Sequence, residues 1–114
     1  MGTELTGHAR IDRRSLEMHR AIAEKLRNQP ALMEIAWDNL NRWLASGGHS
    51  QPYFEAWREI LGRPLPEVLE LLIEESEKMT SLRQNAPFAG VLTPAERWGI
   101  YERFEQRREA SAGE

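Results

Sequence analysis

The chain has 114 residues, 40% of them apolar and 29% charged, with a formal net charge of −3 and no cysteine. That size suits one domain around a single modest core, and the lack of cysteine removes disulfides and thiolate chemistry and fits a reducing compartment. Charge is uneven, with a net of +2 over residues 1–28, −5 over 29–82 and zero over 83–114, and no part has the dense Lys/Arg footprint of a typical nucleic-acid binder.

The opening "MGTELTGHAR" has no apolar h-region, so it does not read as a secretory signal. The longest nearly unbroken apolar run, "VLELLI", falls far short of the roughly 20 residues that span a bilayer. A soluble, cytoplasmic protein with no membrane association is expected, built as one helical domain over residues 11–107 between flexible segments 1–10 and 108–114. Apolar residues recur at three and four rather than at two, so the fold class expected is all-α, with five or six short helices in a compact orthogonal bundle.

The first helix is expected from Asp12, as N-cap, to Asn28. Leu16, His19, Ile22, Ala23 and Leu26 form one stripe of it. Opposite lie Arg13, Glu17, Arg20, Glu24 and Arg27, whose alternating signs mark a solvated face and supply neighbouring pairs each contributing about 0.2–0.5 kcal/mol. "NQP" ends this helix, and Pro30 suits the first position of the next. That second helix, about 30–46, carries a broad apolar arc of Leu32, Met33, Ala36, Trp37, Leu40, Trp43 and Leu44, which predicts the central element of the bundle. "SGG" stops it, with Gly47 suited to a left-handed C-cap.

Ser50 is expected to cap a third helix whose buried face is Tyr53, Ala56, Trp57, Ile60 and Leu61, closed by Gly62 and Pro64. A fourth starts near Pro66 and packs Val68, Leu69, Leu72 and Ile73, with a restart at Ser76 running to Leu82. The last begins at "TPAE", where Thr93 as N-cap, Pro94 at the first position and Glu96 reaching back make a complete capping box. Ile100, Tyr101 and Phe104 share its apolar face, Trp98 lies at the margin, and the tail after about Arg107 is expected to fray.

Chemistry-bearing motifs are few. The chain has no G-x-S-x-G, H-E-x-x-H or Gly-rich phosphate loop, and His8, His19 and His49 share no metal-ligand spacing. His19, inside an apolar stripe, reads as a core or interface histidine with one ring nitrogen hydrogen-bonded. Glu67, Glu70 and Glu74 share one helical face, which reads as a solvated acidic surface where a divalent ion would bind only weakly. "FEAWREILGRPLPEVLELLIEE" has the outline of a helix-turn-helix, yet its second helix carries glutamates where phosphates would approach. Neither a catalytic residue, a metal, a cofactor nor a small-molecule substrate is expected.

The stretch "LRQNAPFAGVLTPAERW" is unusually apolar for a loop. Ala86 and Thr93 precede prolines and are expected to be extended, while Gly90 permits a sharp turn. Phe88, Val91 and Leu92 have two open fates: they fold back as a plug over the helix ends, or they line an apolar patch completed by another chain. The two are compatible if part of the loop packs and its rim binds.

"SLEMHRAIAEKLR", "ALMEIAWDNLNRWL" and "PFAGVLTPAERW" together resemble a group of small helical bacterial proteins of similar length, over about residues 11–104. Members of that group tend to be encoded beside a gene taken to be a toxin, often nucleotidyltransferase-like or nuclease-like, and are held to be antitoxins. The resemblance implies a non-enzymatic protein-binding role in which the chain neutralises a partner by direct contact; it implies no catalytic residues. Arg83, Pro87, Phe88, Val91, Leu92, Arg97 and Trp98 are the expected contact residues, aromatic and Arg side chains being frequent interface anchors. The acidic middle segment would steer the chain toward a basic partner. A homodimer is the competing partner. The alternative function is a DNA-binding regulator acting as a dimer through Arg10, Arg13 and Arg14 of two copies, for which salt-dependent DNA binding would be required.

Overall fold

Six α-helices and one 3-10 turn build the described part of the chain: α1 Gly7–Asn28, the turn Pro30–Leu32, α2 Met33–Ser46, α3 Gln51–Leu61, α4 Leu65–Leu72, α5 Glu77–Arg83 and α6 Pro94–Ala112. The structure, a computed structural model, describes residues 7–48 and 51–112, with side chains for 10–48 and 51–105. Among these residues there is no strand, so the all-α expectation holds, and no helix is long and apolar enough to cross a membrane.

Every member of the α1 stripe, Leu16, His19, Ile22, Ala23 and Leu26, is buried. On the outer face Arg20 pairs with Glu17 at 3.3 Å and Arg27 with Glu24. The helix starts earlier than its sequence signals suggest. Asp12 lies inside it rather than capping it, and its carboxylate accepts a hydrogen bond from Gln84 Nε2 at 3.2 Å. Residues 7–10, expected in a flexible segment, belong to α1, and α6 runs past Arg107 to Ala112. Ser50 and His49 lie outside the described residues, as do the side chains of His8 and residues 106–112.

The central element is α1, not α2. It packs against α4, α5 and α6, whereas α2 packs chiefly against α3. Trp37 and Trp43 of α2 are only half-buried, and the largest fully buried side chain is Trp57 of α3. A wide apolar arc shows how much surface a helix can bury; which neighbours reach it is decided by the chain's path. In α3 the register also differs from expectation: Tyr53 is 41% exposed, and Phe54 turns inward instead, 5.1 Å from the Trp43 ring. Ile73, expected to pack with α4, is 40% exposed just beyond the helix end.

Helix ends follow the local chemistry. Ser76 caps α5, its Oγ accepting from the Met79 amide at 3.2 Å. Gly47 has the positive φ expected of it, 70°, but its ψ of −158° is extended rather than left-handed helical. The Thr93/Glu96 capping box is complete: the Glu96 amide donates to Thr93 Oγ1 at 3.1 Å and the Thr93 amide donates to Glu96 Oε1 at 2.7 Å. Lys25 Nζ donates to the same Oε1 at 2.6 Å, tying the start of α6 to α1. That Lys25 contact first, and the Thr93 amide second, hold the Glu96 carboxyl below its ordinary range.

Candidate functional site

The apolar stretch before α6 is a plug. Phe88, Val91 and Leu92 are buried, and Pro87 is among the most fully buried side chains of the chain. Phe88 lies between two helices: its ring meets the Trp57 indole of α3 edge-on at 5.4 Å and the His19 imidazole of α1 edge-on at 5.8 Å. Such pairs add about 0.5–1.5 kcal/mol beyond the area they bury. Trp57 Nε1 in turn donates to the Leu82 carbonyl at 2.9 Å, so the indole's polar atom is satisfied by the end of α5.

One polar side chain fixes this plug. Asn39 of α2, buried, donates through Nδ2 to the carbonyls of Pro87 at 3.0 Å and Ala89 at 2.9 Å, while its Oδ1 accepts from Arg42 Nη2. Between these carbonyls and α6 the chain reverses. The Val91 amide donates to the Phe88 carbonyl at 3.0 Å, and Gly90 has φ of 97° at the third position, which makes residues 88–91 a type II turn. A Cβ at Gly90 would stand 3.5 Å from Ile35 Cγ2, so the backbone conformation rather than crowding requires glycine. Asn39→Ala should lower stability by about 1–3 kcal/mol, because two carbonyls lose their donor. Urea denaturation monitored by Trp fluorescence measures it, and wild-type stability in that variant would show the loop held by its apolar side chains alone.

A second buried polar side chain, Arg83, only 5% exposed, brackets α4 and α5. Its Nη1 donates to the carbonyls of Leu72 at 3.2 Å and Glu74 at 2.8 Å, and Nη2 donates to Thr80 Oγ1 at 3.3 Å. A guanidinium here satisfies the carbonyls that α4 leaves open at its C-terminus, where a cation is favoured. Burial pushes its pKa below the ordinary value, with Glu75, Asp12 and Glu74 opposing. Arg83 is thus a structural clamp between α4 and α5.

Of the seven residues expected at a contact surface, Arg83, Pro87, Phe88, Val91 and Leu92 are therefore covered by the chain itself, and in this conformation their side chains cannot meet a partner. Arg97 and Trp98 remain at the surface, and Trp98 is 64% exposed. Between plug and surface the link is direct: Val91 and Leu92 anchor the chain immediately before α6, and the capping box then sets the helix that presents Trp98.

Along the seam of α1 and α6, the Arg14 guanidinium lies 5.1 Å from the Tyr101 ring centroid and Arg10 is 4.0 Å from Glu105. Of the three arginines that a DNA-binding dimer would use, Arg14 is thus held within the chain and Arg10 only loosely so. Among the described residues no group of three or more His, Cys, Asp or Glu is placed to hold a metal ion. Glu67, Glu70 and Glu74 are exposed. His19 is walled off: its Nδ1 donates to the Ser15 carbonyl at 2.8 Å, Nε2 has no partner, and burial lowers its pKa to about 4.

No protein-family model matches the chain, and it matches no curated protein and no solved structure.

Proposed function

We propose that the protein is a non-enzymatic protein-binding module with an antitoxin-like role, neutralising a partner protein by direct contact through the outer face of α6. The observation that carries this reading is Trp98, 64% exposed on a helix whose first turn is held by a reciprocal capping box and by Lys25. An indole left in water on a rigid element forfeits the burial that such a side chain contributes elsewhere, and a preorganised aromatic flanked by an exposed Arg is the usual composition of an interface anchor. A resemblance of residues 11–104 to small antitoxin-like proteins, read from the sequence alone, suggests the biological direction. The loop's part in this reading is to support: Pro87, Phe88, Val91 and Leu92 hold α6 in place, and Trp98 with Arg97 makes the contact.

A pull-down from source-cell lysate, comparing wild type with Arg97→Ala/Trp98→Ala, tests it. Both substitutions are at the surface, so the variant should unfold within about 0.5 kcal/mol of wild type. One stoichiometric partner should be retained by the wild type and lost at least about 30-fold in the variant, the equivalent of about 2 kcal/mol for an anchor residue. That partner, expressed alone, should arrest growth, and co-expression of the wild type should restore it. A partner bound equally by the variant would move the contact elsewhere, and a partner harmless on its own would remove the antitoxin role.

A further inference from the structure

At the end of the α1/α6 seam lies a concavity of about 240 Å³ lined by Arg10, Ile11, Arg14 and Phe104. It is smaller than the roughly 300–1,000 Å³ typical of small-molecule sites. Its size fits a single side chain. Two of its four lining residues, Ile11 and Phe104, are apolar, and Ile11 is left 51% exposed. Two guanidiniums stand at the rim. Arg14 is held against Tyr101, its guanidinium carbon 5.1 Å from the ring centroid, and is exposed. Arg10 is 4.0 Å from Glu105, with both side chains more than a third exposed, so that pairing is loose. An apolar socket with a cationic rim selects a protruding aliphatic side chain flanked by carboxylates.

The chain itself carries such a knob. Ile73, 40% exposed, follows the last residue of α4 and is succeeded by the exposed Glu74 and Glu75, with Glu70 and Glu77 close by in sequence and also exposed. Its backbone is fixed from both sides, because Arg83 Nη1 holds the carbonyls of Leu72 and Glu74. A knob ordered beforehand loses little entropy on docking. Glu75 lies 4.0 Å from Arg20, at a side-chain exposure of 65%. Knob and socket are thus separated along α1 by the six to ten residues between Arg20 and the Arg10–Arg14 turn, about 9–15 Å of rigid helix. One molecule cannot place its own knob in its own socket.

We propose that the occupant of the Arg10/Ile11/Arg14/Phe104 socket is the Ile73–Glu75 knob of a second copy of this chain. Because the two surfaces differ, the contact is heterologous: each molecule offers one socket and one knob, and association proceeds head to tail rather than stopping at a two-fold dimer. Charge follows the same polarity, net +2 over residues 1–28 against −5 over 29–82. The surface is distinct from that of Trp98, so this association and the binding of a different protein stand or fall separately.

Sedimentation velocity over rising concentration, with two variants, tests this. Ile11→Glu fills the socket with a carboxylate, and Ile73→Lys puts a cation on the knob; both positions are exposed, and circular dichroism should show the wild-type fold in each. The wild type should exceed the monomer mass of 13.2 kDa increasingly with concentration, and less so as ionic strength rises. Each variant alone should remain at monomer mass. An equimolar mixture of the two should form a species of twice 13.2 kDa and nothing larger, because the intact knob of Ile11→Glu meets the intact socket of Ile73→Lys once. A wild type that stays monomeric into the millimolar range, a single variant that still associates, or a mixture that fails to pair would each overturn the proposal.

Discussion

Replacing Phe88 by Ala should lower the unfolding free energy by about 3–5 kcal/mol, the range of large aromatic truncations in well-packed cores. The ring is 3% exposed and its edges meet Trp57 and His19, so truncation removes contacts with α1 and α3 together and leaves a cavity that helix backbones cannot close. Against the roughly 5–15 kcal/mol that stabilises a domain, this is a large fraction. Thermal and urea unfolding give the value, and the fluorescence of Trp57 should change already in the folded baseline. Phe88→Leu, which refills most of the space, should cost clearly less. Trp98→Ala, by contrast, should stay within about 0.5 kcal/mol of wild type. This pair of results separates the plug from the exposed surface aromatic: if Phe88 were ordered by a partner instead of by its own chain, the isolated protein would lose almost nothing on its truncation.

The different fates of these two aromatics show where the sequence could be read and where it could not. Within α1 the 3.6-residue period assigns Leu16, His19, Ile22, Ala23 and Leu26 to one face, and all are buried. The TPAE and Ser76 starts were equally legible, because a cap is a bond between near neighbours. Phe88, Val91 and Leu92 belong to no period, so local pattern could not say what covers them; that depends on Trp57 and His19, distant in sequence. Asn39 carries a signal in the sequence: spaced three from Ala36 and four from Ile35, it sits on the packed side of α2, and a polar residue there needs partners. Arg83 offered no such signal, since its acceptors are backbone carbonyls at the end of another helix. The expected contact set therefore mixed two kinds of residue, five that build the support and two that stand on it.

Acidification should weaken the fold through His19 before most carboxylates titrate. In the folded protein Nδ1 carries the proton of the neutral ring, donating to the Ser15 carbonyl at 2.8 Å, and Nε2 is buried without a partner. Protonating Nε2 would create a buried cation facing the Phe88 ring of the plug, in the field of Arg83 from α5. Burial is the main cause that lowers the pKa to about 4; the Ser15 hydrogen bond opposes it, and the Arg83 charge reinforces it. In the unfolded chain the ordinary value of about 6.5 returns, so between these two values the unfolded state binds more protons than the folded one. Stability from this group is thus fully present above about pH 6.5, falls as the pH drops toward about 4, and changes no further below that. At 1.36 kcal/mol per unit the whole window amounts to ~3 kcal/mol, of which ~2 kcal/mol is spent by about pH 5. Urea midpoints at about pH 7, 6 and 5 should decline accordingly in the wild type and stay nearly level in His19→Leu, which keeps an apolar side chain against Phe88 and carries no titrating nitrogen. Equal slopes in the two proteins would assign the acid sensitivity to carboxylates. A level wild-type curve would mean that the ring takes up its second proton as readily inside the fold as outside, which requires an acceptor within reach of Nε2 and a looser seam between α1 and the plug than the edge-on contact with Phe88 allows.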